Sequence, residues 1–402
     1  MAEEKKALPA PSKSVMDEVV ELRRHFHRHP EVSFSEQETS VKISERLREL
    51  GLEVQPCPTE TGAVAVLDTG RHGKTVMLRA DIDALPILEE SGVEFQSESE
   101  GHMHACGHDT HIAMMLGTAR TLVDHIWDLN GRFLFVFQPA EEIVSGAKAM
   151  IAGGLLESHH PDAVLGLHIA SFIDSGTIVT KPGLLWAGSD AFEIGIKGPG
   201  GHGGMMGRAG NVLAAQAFLI ERLHTVVDGL EHEGAGCHTT VGNVMSDGAW
   251  NIVPRGVRIK GSVRTFTAPL REEALGRLGD LLKETDTEFE VSSEMQLVHG
   301  TVPLMNEPNV TRTVMEVATS IAGDKASLLG KPLTVSDDFA EFLTRIPGCY
   351  FMLGAMPPDA ETAPAHHSPG FRIDETSFAT GVRMMAATAA TLAAETAPPA
   401  DR

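Results

Sequence analysis

Short apolar runs alternating with amphipathic stretches restrict the fold of this chain more than any other feature. Residues 63–67, 75–78, 133–137 and 163–167 read as short buried strands, and the last three run directly into Asp81, Glu141 and His168. Between them, residues 15–29 carry the apolar spacing of a helix stopped by Pro30, and residues 37–50 carry a second helix with Gly51 as its stop. A third helix is expected over residues 112–125. Strands alternating with helices predict an α/β fold built on a mostly parallel sheet. Ligand sites in such sheets lie outside the carboxyl ends of the strands, where these polar residues gather.

The pattern changes near Gly188. Residues 192–196 read as a strand, G-P-G-G-H-G-G as a glycine-rich turn, and residues 212–226 as a helix. Strands over 239–244 and 257–266, a helix over 271–282 and a strand over 288–297 complete the order of a ferredoxin-like module. The α/β pattern resumes after Pro303, with a helix over 310–321, a short one at Phe339–Leu343, a strand over 349–353 and an alanine-rich helix from about residue 376. The expected organisation is a catalytic domain in two parts, 1–187 and 301–402, with an inserted α+β domain over 188–300. A chain of 402 residues is long enough for two cores. Both ends read as frayed tails.

The formal net charge of −22 argues against nucleic acid or an anionic membrane as partner, since either needs a basic surface. Cys57, Cys106, Cys237 and Cys349 are too scattered for a disulfide framework and suit a reducing compartment. The first residues, M-A-E-E-K-K-A-L-P-A-P-S-K-S, lack the apolar core of a signal peptide. No apolar run approaches the roughly 20 residues of a membrane span. A cytoplasmic location is expected.

Chemistry is concentrated in residues 101–111, G-H-M-H-A-C-G-H-D-T-H. A thiolate and an imidazole are usual zinc ligands, and imidazole also suits neighbouring divalent metals. The alternative is a histidine-rich surface loop with Cys106 as a small buried apolar residue. Other positions supply further donors: Glu141 and Glu142 in Q-P-A-E-E, His168 in G-L-H-I, and His366 and His367 in a Pro/Gly-rich loop. Taken singly, the glutamates read as exposed acids at a helix start and the histidines as hydrogen-bonded structural residues. Taken together, Cys106, His108, Glu142, His168 and His367 can serve two cations if one ligand bridges. Paired cations about 3.5–4 Å apart are a recurrent hydrolytic device. A thiolate can bridge, and Glu141 is then a spare carboxylate beside the attacking water, placed to act as general base.

R-A-D-I-D-A-L-P, M-H-A-C-G-H-D-T-H, Q-P-A-E-E, G-L-H-I, S-D-D-F-A and H-H-S-P-G-F-R-I-D-E stand here in the order found in the aminoacylase and carboxypeptidase G metallopeptidases. The chain most resembles their branch of hippurate hydrolases, bacterial N-acyl-amino-acid amidohydrolases and plant auxin-conjugate hydrolases, from about residue 15 to 394. The resemblance implies a zinc-peptidase-like catalytic domain and an inserted lid and dimerisation domain. It implies two divalent ions (zinc, manganese, cobalt or nickel) on Cys106, His108, Glu142, His168 and His367, with Glu141 as general base. In other branches a histidine stands at the position of Asp81 and an aspartate bridges the metals where Cys106 stands here. Asp83 would then fix a ligand imidazole by accepting its other N–H. His202 matches a lid histidine that stabilises the oxyanion in the partner subunit's site. Asn251 and Arg264 match positions on the substrate's carboxylate side. The lid loop departs from the family pattern: Met206 and Gly207 replace Pro-His, and Asn211 and Val212 replace Asp-Pro.

The expected activity is cleavage of the amide of N-acyl or N-aroyl amino acids by metal-activated water, in a homodimer joined through the lid or a higher oligomer. The rivals are a dipeptidase or carboxypeptidase on the same scaffold, a hydrolase of an unusual amide or aryl amine, and a non-catalytic binding relative. The last predicts loss of Glu141 or of a ligand, and all six positions are filled.

Overall fold

The structure is a computed structural model that describes residues 8–205, 207–208 and 210–395. Much of the expected tails, and Met206 of the altered lid loop, lie outside the described residues. The chain forms two compact units. The first comprises Met1–Gly183, Met305–Gly330 and Glu341–Arg402; the second comprises Leu184–Leu304 and Lys331–Ala340.

An 8-stranded sheet runs through the first unit. Its order in space is Glu53–Gln55, Ala63–Asp68, Arg132–Gln138, Thr75–Asp81, Ala163–Asp174, Gly348–Met356, Ile178–Thr180 and Ala326–Leu328. The middle of the sheet is parallel, from Arg132–Gln138 through to Gly348–Met356. Antiparallel pairing occurs only further out, at Ala63–Asp68 and Ile178–Thr180. Strands covered on both faces need apolar side chains on both, which explains continuous runs such as Phe133–Phe137 rather than alternation. Helices Lys13–Arg28, His108–Asp124, Pro308–Ala322 and Phe378–Ala393 contribute Val19, Phe26, Ile112, Leu116, Val314 and Val382 to this core. Each large aliphatic or aromatic side chain buried this way stabilises the unit by about 1.5–3 kcal/mol. Ser12 starts the first helix by accepting from the Val15 N–H.

Two elements differ from the sequence expectation in ways that shape the site. The third helix begins at His108, not Ile112. Its first three turns are buried all round, so no polar face marks its start. The strand expected to end at residue 167 continues to Asp174, because Met352 pairs with His168 and Met356 with Asp174. His168 therefore projects from within a strand rather than from its end.

In the second unit, His238–Ser246, Gly256–Thr265, Gly188–Lys197 and Ser292–Thr301 lie side by side in that order, all antiparallel. Helices Val212–Leu223 and Ala268–Phe289 cover one face through Phe192, Ile194, Ile196, Leu219, Ile259 and Leu278. Burial alternates along Gly188–Lys197, as it does in a sheet wetted on one side. Glu288, expected in the last strand, lies in the preceding helix, which runs to Phe289 and stops where Glu290 turns left-handed. Asn211 caps the helix that follows it by accepting from the Leu213 and Ala214 N–H groups. The Asn-Val pair standing in place of Asp-Pro thus occupies a helix start, where Asn caps about as well as Asp. No helix among the described residues is long and apolar enough to cross a membrane.

Candidate metal centre

Gly107 separates two of the expected ligands, and no other residue fits there. Its φ is +93°, and a Cβ would lie 2.5 Å from Ile169 Cγ2. The tight turn this permits aims Cys106 and His108 into one space, with His108 opening the buried helix. His108 Nδ1 lies 2.9 Å from the carbonyl oxygen of Asp83, and His168 Nδ1 lies 2.6 Å from that of Ile169. A carbonyl only accepts, so each Nδ1 carries a proton and Nε2 is the nitrogen left facing the site. His367, itself left-handed at φ 60°, is tied by its N–H to Ala105 O at 2.8 Å.

The side chains then converge on the sulfur. Cys106 Sγ is 3.5 Å from His168 Nε2 and 3.3 Å from His367 Nε2. His367 Nε2 is 3.4 Å from Glu142 Oε2, and His108 Nε2 is 3.8 Å from Glu142 Oε1 and 3.9 Å from Glu141 Oε2. Among the described residues, two of the donor groups compact enough to hold an ion, Cys106–His108–His168 and Cys106–Glu142–His367, share the thiol. Among the described residues, His108 Nε2 and Glu142 Oε1 are buried without a hydrogen-bond partner. Buried polar atoms are rarely left so, and a divalent cation satisfies an imidazole lone pair and a carboxylate oxygen together. The donor set fits two cations, which Cys106 would serve in common.

Asp81, His108 and His111 form a third compact group, but its imidazole is already committed. His111 Nδ1 is bonded to Asp81 Oδ1, and His111 Nε2 accepts the Ile169 N–H at 2.9 Å. Arg79, buried in turn, donates to Asp81 at 2.6 Å and to Gln138 at 2.8 Å. His111 and His168 therefore hold the backbone of Ile169 at two adjacent peptide groups, one through its N–H and the other through its carbonyl. The sequence pattern marks no role for His111, although it stands one helical turn after His108 on the same face.

Residues 77–391 match Peptidase family M20/M25/M40. The chain belongs to this family of metal-dependent amidohydrolases and peptidases. The M20 chain is 35% identical over 366 residues to N-acetyl-L-cysteine deacetylase of Bacillus subtilis, covering 90% of this chain and 85% of the relative. It is 33% identical over 367 residues to thermostable carboxypeptidase 2 of Saccharolobus solfataricus, covering 90% and 92%. A solved dinuclear metal-binding peptidase of the family from Bacillus subtilis superposes with a TM-score of 0.77 at 29% identity, covering 95% of this chain and 99% of that one.

The electrostatics of the M20 site follow from burying several ionisable groups together. Burial pushes the Cys106 thiol well up, and the Glu142 carboxylate adds to the effect. Burial likewise pushes the Glu142 carboxyl up to about 8, with Asp83 and Asp81 adding to it against the pull of His108. Burial alone would lower His108, but Asp81, Cys106 and Asp83 outweigh it and raise it well above the ordinary imidazole range. His168 is held well down, by burial first and then by His111 and His366. Such a site favours protons on its sulfur and carboxyl ligands and on His108 until a cation displaces them.

Asp83 joins both sides of the cluster. Its Oδ2 accepts the Glu142 N–H at 3.0 Å and the Ser33 hydroxyl at 2.7 Å, and its Oδ1 lies 3.3 Å from His108 Nδ1. The remaining expected residues lie in the second unit. His202 is exposed on the short strand Gly201–His202, which pairs with Ile252–Val253. Its Nδ1 accepts the Gly204 N–H at 3.1 Å. Asn251 is exposed, and its carbonyl accepts the Gly203 N–H at 2.9 Å, so the fold brings His202 and Asn251 together. Arg264 donates to the Ser336 hydroxyl at 2.8 Å and to Thr334 O at 3.3 Å.

Proposed function

We propose that this chain hydrolyses the amide bond of N-acyl or N-aroyl amino acids. The observation that carries the reading is the pair of donor groups sharing Cys106, with Glu141 beside them. Cys106, His108, Glu142, His168 and His367 would hold two divalent ions (zinc, manganese, cobalt or nickel). When bound, the ions would polarise the scissile carbonyl and acidify the attacking water. Glu141, 8% exposed at the edge of this buried cluster, takes the water's proton and passes it to the leaving amine nitrogen. Asp83, through its carboxylate and carbonyl, keeps His108 in the tautomer that faces the ions. The second unit acts as the lid and dimerisation domain. There His202 of a second copy donates to the oxyanion, and Asn251 and Arg264 meet the substrate's carboxylate. This part rests on the family resemblance alone.

The likeness to an N-acetyl-L-cysteine deacetylase supports an acyl amino acid as substrate. The likeness to a carboxypeptidase supports the second reading, a peptidase that tolerates a free α-amino group on the acyl side. The two separate in one assay. The protein is loaded in turn with zinc, manganese, cobalt and nickel. It is then given N-acetyl, N-benzoyl and indole-acetyl amino acids beside dipeptides with a free amino terminus. Turnover of the acylated compounds alone is expected. Cleavage confined to the dipeptides would replace the first reading by the second.

A further inference from the structure

Glu36 is wholly buried, and among the described residues no ion pair is found for it. A carboxyl group is expensive to bury, so what it bonds to is informative. Its Oε1 accepts the Ala140 N–H at 2.9 Å and its Oε2 accepts the Thr61 hydroxyl at 2.8 Å. Glu36 also stands at the N-terminal cap of the Gln37–Glu49 helix, where a side chain normally turns back onto its own helix. It does not, because Glu31 takes that work, accepting the Glu38 and Thr39 N–H groups at 3.1 and 2.8 Å. The Glu36 carboxyl is thereby released to reach across 104 positions of sequence.

Ala140 is the residue it holds, and Ala140 is left-handed at φ 54°, an uncommon conformation for a residue with a Cβ. The turn is clamped from both sides. The Ala140 carbonyl accepts the Ser145 and Gly146 N–H groups at 3.2 and 3.1 Å, while Glu36 takes the amide. Gly146 can come so close only because it lacks a side chain, since a Cβ there would lie 1.6 Å from Pro139 O. The next residues along the chain are Glu141 and Glu142. Backbone strain of this kind persists where surrounding contacts overdetermine it, and it clusters at functional sites.

We infer that Glu36 is a positioning residue: its carboxyl, as a hydrogen-bond acceptor, holds the Ala140 turn left-handed and so aims Glu141 and Glu142 into the metal centre. The inference rests on the proposed roles of those two glutamates. The required chemistry is an acceptor at Oε1 rather than a charge, so glutamine can replace Glu36 with Thr61 turning its hydroxyl to accept.

Glu36→Gln and Glu36→Met, which match Glu36 closely in size, separate an acceptor from mere packing. Each is read for melting temperature, for kcat and KM on the fastest substrate of the panel above, and for cobalt(II) affinity through the thiolate-to-cobalt absorption of Cys106. The Met variant is expected to lose about 10–100-fold in kcat with KM nearly unchanged, and to bind cobalt about 10-fold more weakly. The Gln variant should stay within roughly threefold of the wild type in both readings. In the wild-type protein the Ala140 amide should be strongly protected from hydrogen exchange. A folded Met variant with wild-type kcat and cobalt affinity would overturn the inference. So would a folded Gln variant that falls as far as Met, or an Ala140 amide that exchanges at the rate of an open loop. The cobalt and exchange readings need no turnover. If they depend on Glu36 while no acyl amino acid is cleaved, the positioning role stands and the proposed activity fails. If Glu141→Gln abolishes turnover but neither Glu36 variant changes anything, the reverse holds.

Discussion

The metal centre of the first unit and the His202 loop of the second are built on opposite plans. Around Cys106 the donors and their neighbours are held by further groups: His108 by the Asp83 carbonyl, His168 by the Ile169 carbonyl, the Ile169 N–H by His111, Asp83 by Ser33, the Glu142 amide by Asp83. Around His202 the contacts are local and solvent-exposed, a two-residue strand pair and one bond to Gly204. Side chains locked by packing and by further hydrogen bonds can be preorganised for chemistry, whereas an exposed side chain acquires a fixed task only when something is brought to it. The first region is thus preorganised by its own contacts, whereas the task proposed for His202 requires an incoming surface or ligand.

The largest test of this contrast is Glu141→Gln. Turnover should fall by about 10²–10⁴-fold while metal stoichiometry stays intact, because only the proton acceptor is removed. Near-normal activity with full metal would take Glu141 out of the mechanism and leave the locked region without its base.

Next in size is complementation between two inactive chains, His202→Ala and Glu141→Gln. If His202 works on a partner's site, subunit exchange should restore about a quarter of wild-type activity, since half the dimers are mixed and half their sites are whole. Exchanged dimers as inactive as their parents would confine His202 to shaping its own turn.

A smaller effect is expected at the thiol. Chelation should raise the labelling rate of Cys106 and lower the melting temperature together, since the metal both covers the sulfur and stabilises the fold. Cys57, half-buried, should label at the same rate in both states. Cys349 should stay silent in both, being fully buried with its thiol pushed up to about 11 by that burial. Equal labelling of Cys106 with and without metal would end the bridging assignment.

The smallest concerns the altered loop. Asn211→Ala removes a helix cap and should destabilise the second unit by about 1 kcal/mol, whereas Asn211→Asp should be nearly neutral. Both should leave kcat unchanged. A fall in kcat without a change in melting would mean that this position touches substrate, not merely the start of its helix.

The chemistry was legible in the sequence wherever it restricts residue type. Few side chains ligate a cation, so Cys106, His108 and the paired glutamates stand out, and a glycine between Cys106 and His108 is what a left-handed turn needs. The start of the third helix was not legible, because its first turns are buried all round and carry no amphipathic signal. The reach of the strand through His168 was equally hidden, since it depends on pairing with a strand that ends at Met356. Glu36, Ser33 and His111 escaped notice for a related reason. Glu36 and His111 act on backbone N–H groups, which every non-proline residue carries, and Ser33 acts on a side chain 50 positions away.

Sequence alone thus determined the donor inventory, the alternation that yields a parallel sheet, and the insertion of a ferredoxin-like module. These follow from side-chain chemistry and from periodicities a few residues long. Only the tertiary structure decided that two donor groups share one sulfur, that both nitrogens of His111 are occupied, and that a buried glutamate accepts the Ala140 N–H just before Glu141. Those are facts of distance between segments up to 261 positions apart. Chain connectivity places no limit on which of them meet; packing and the need to satisfy every buried polar group do.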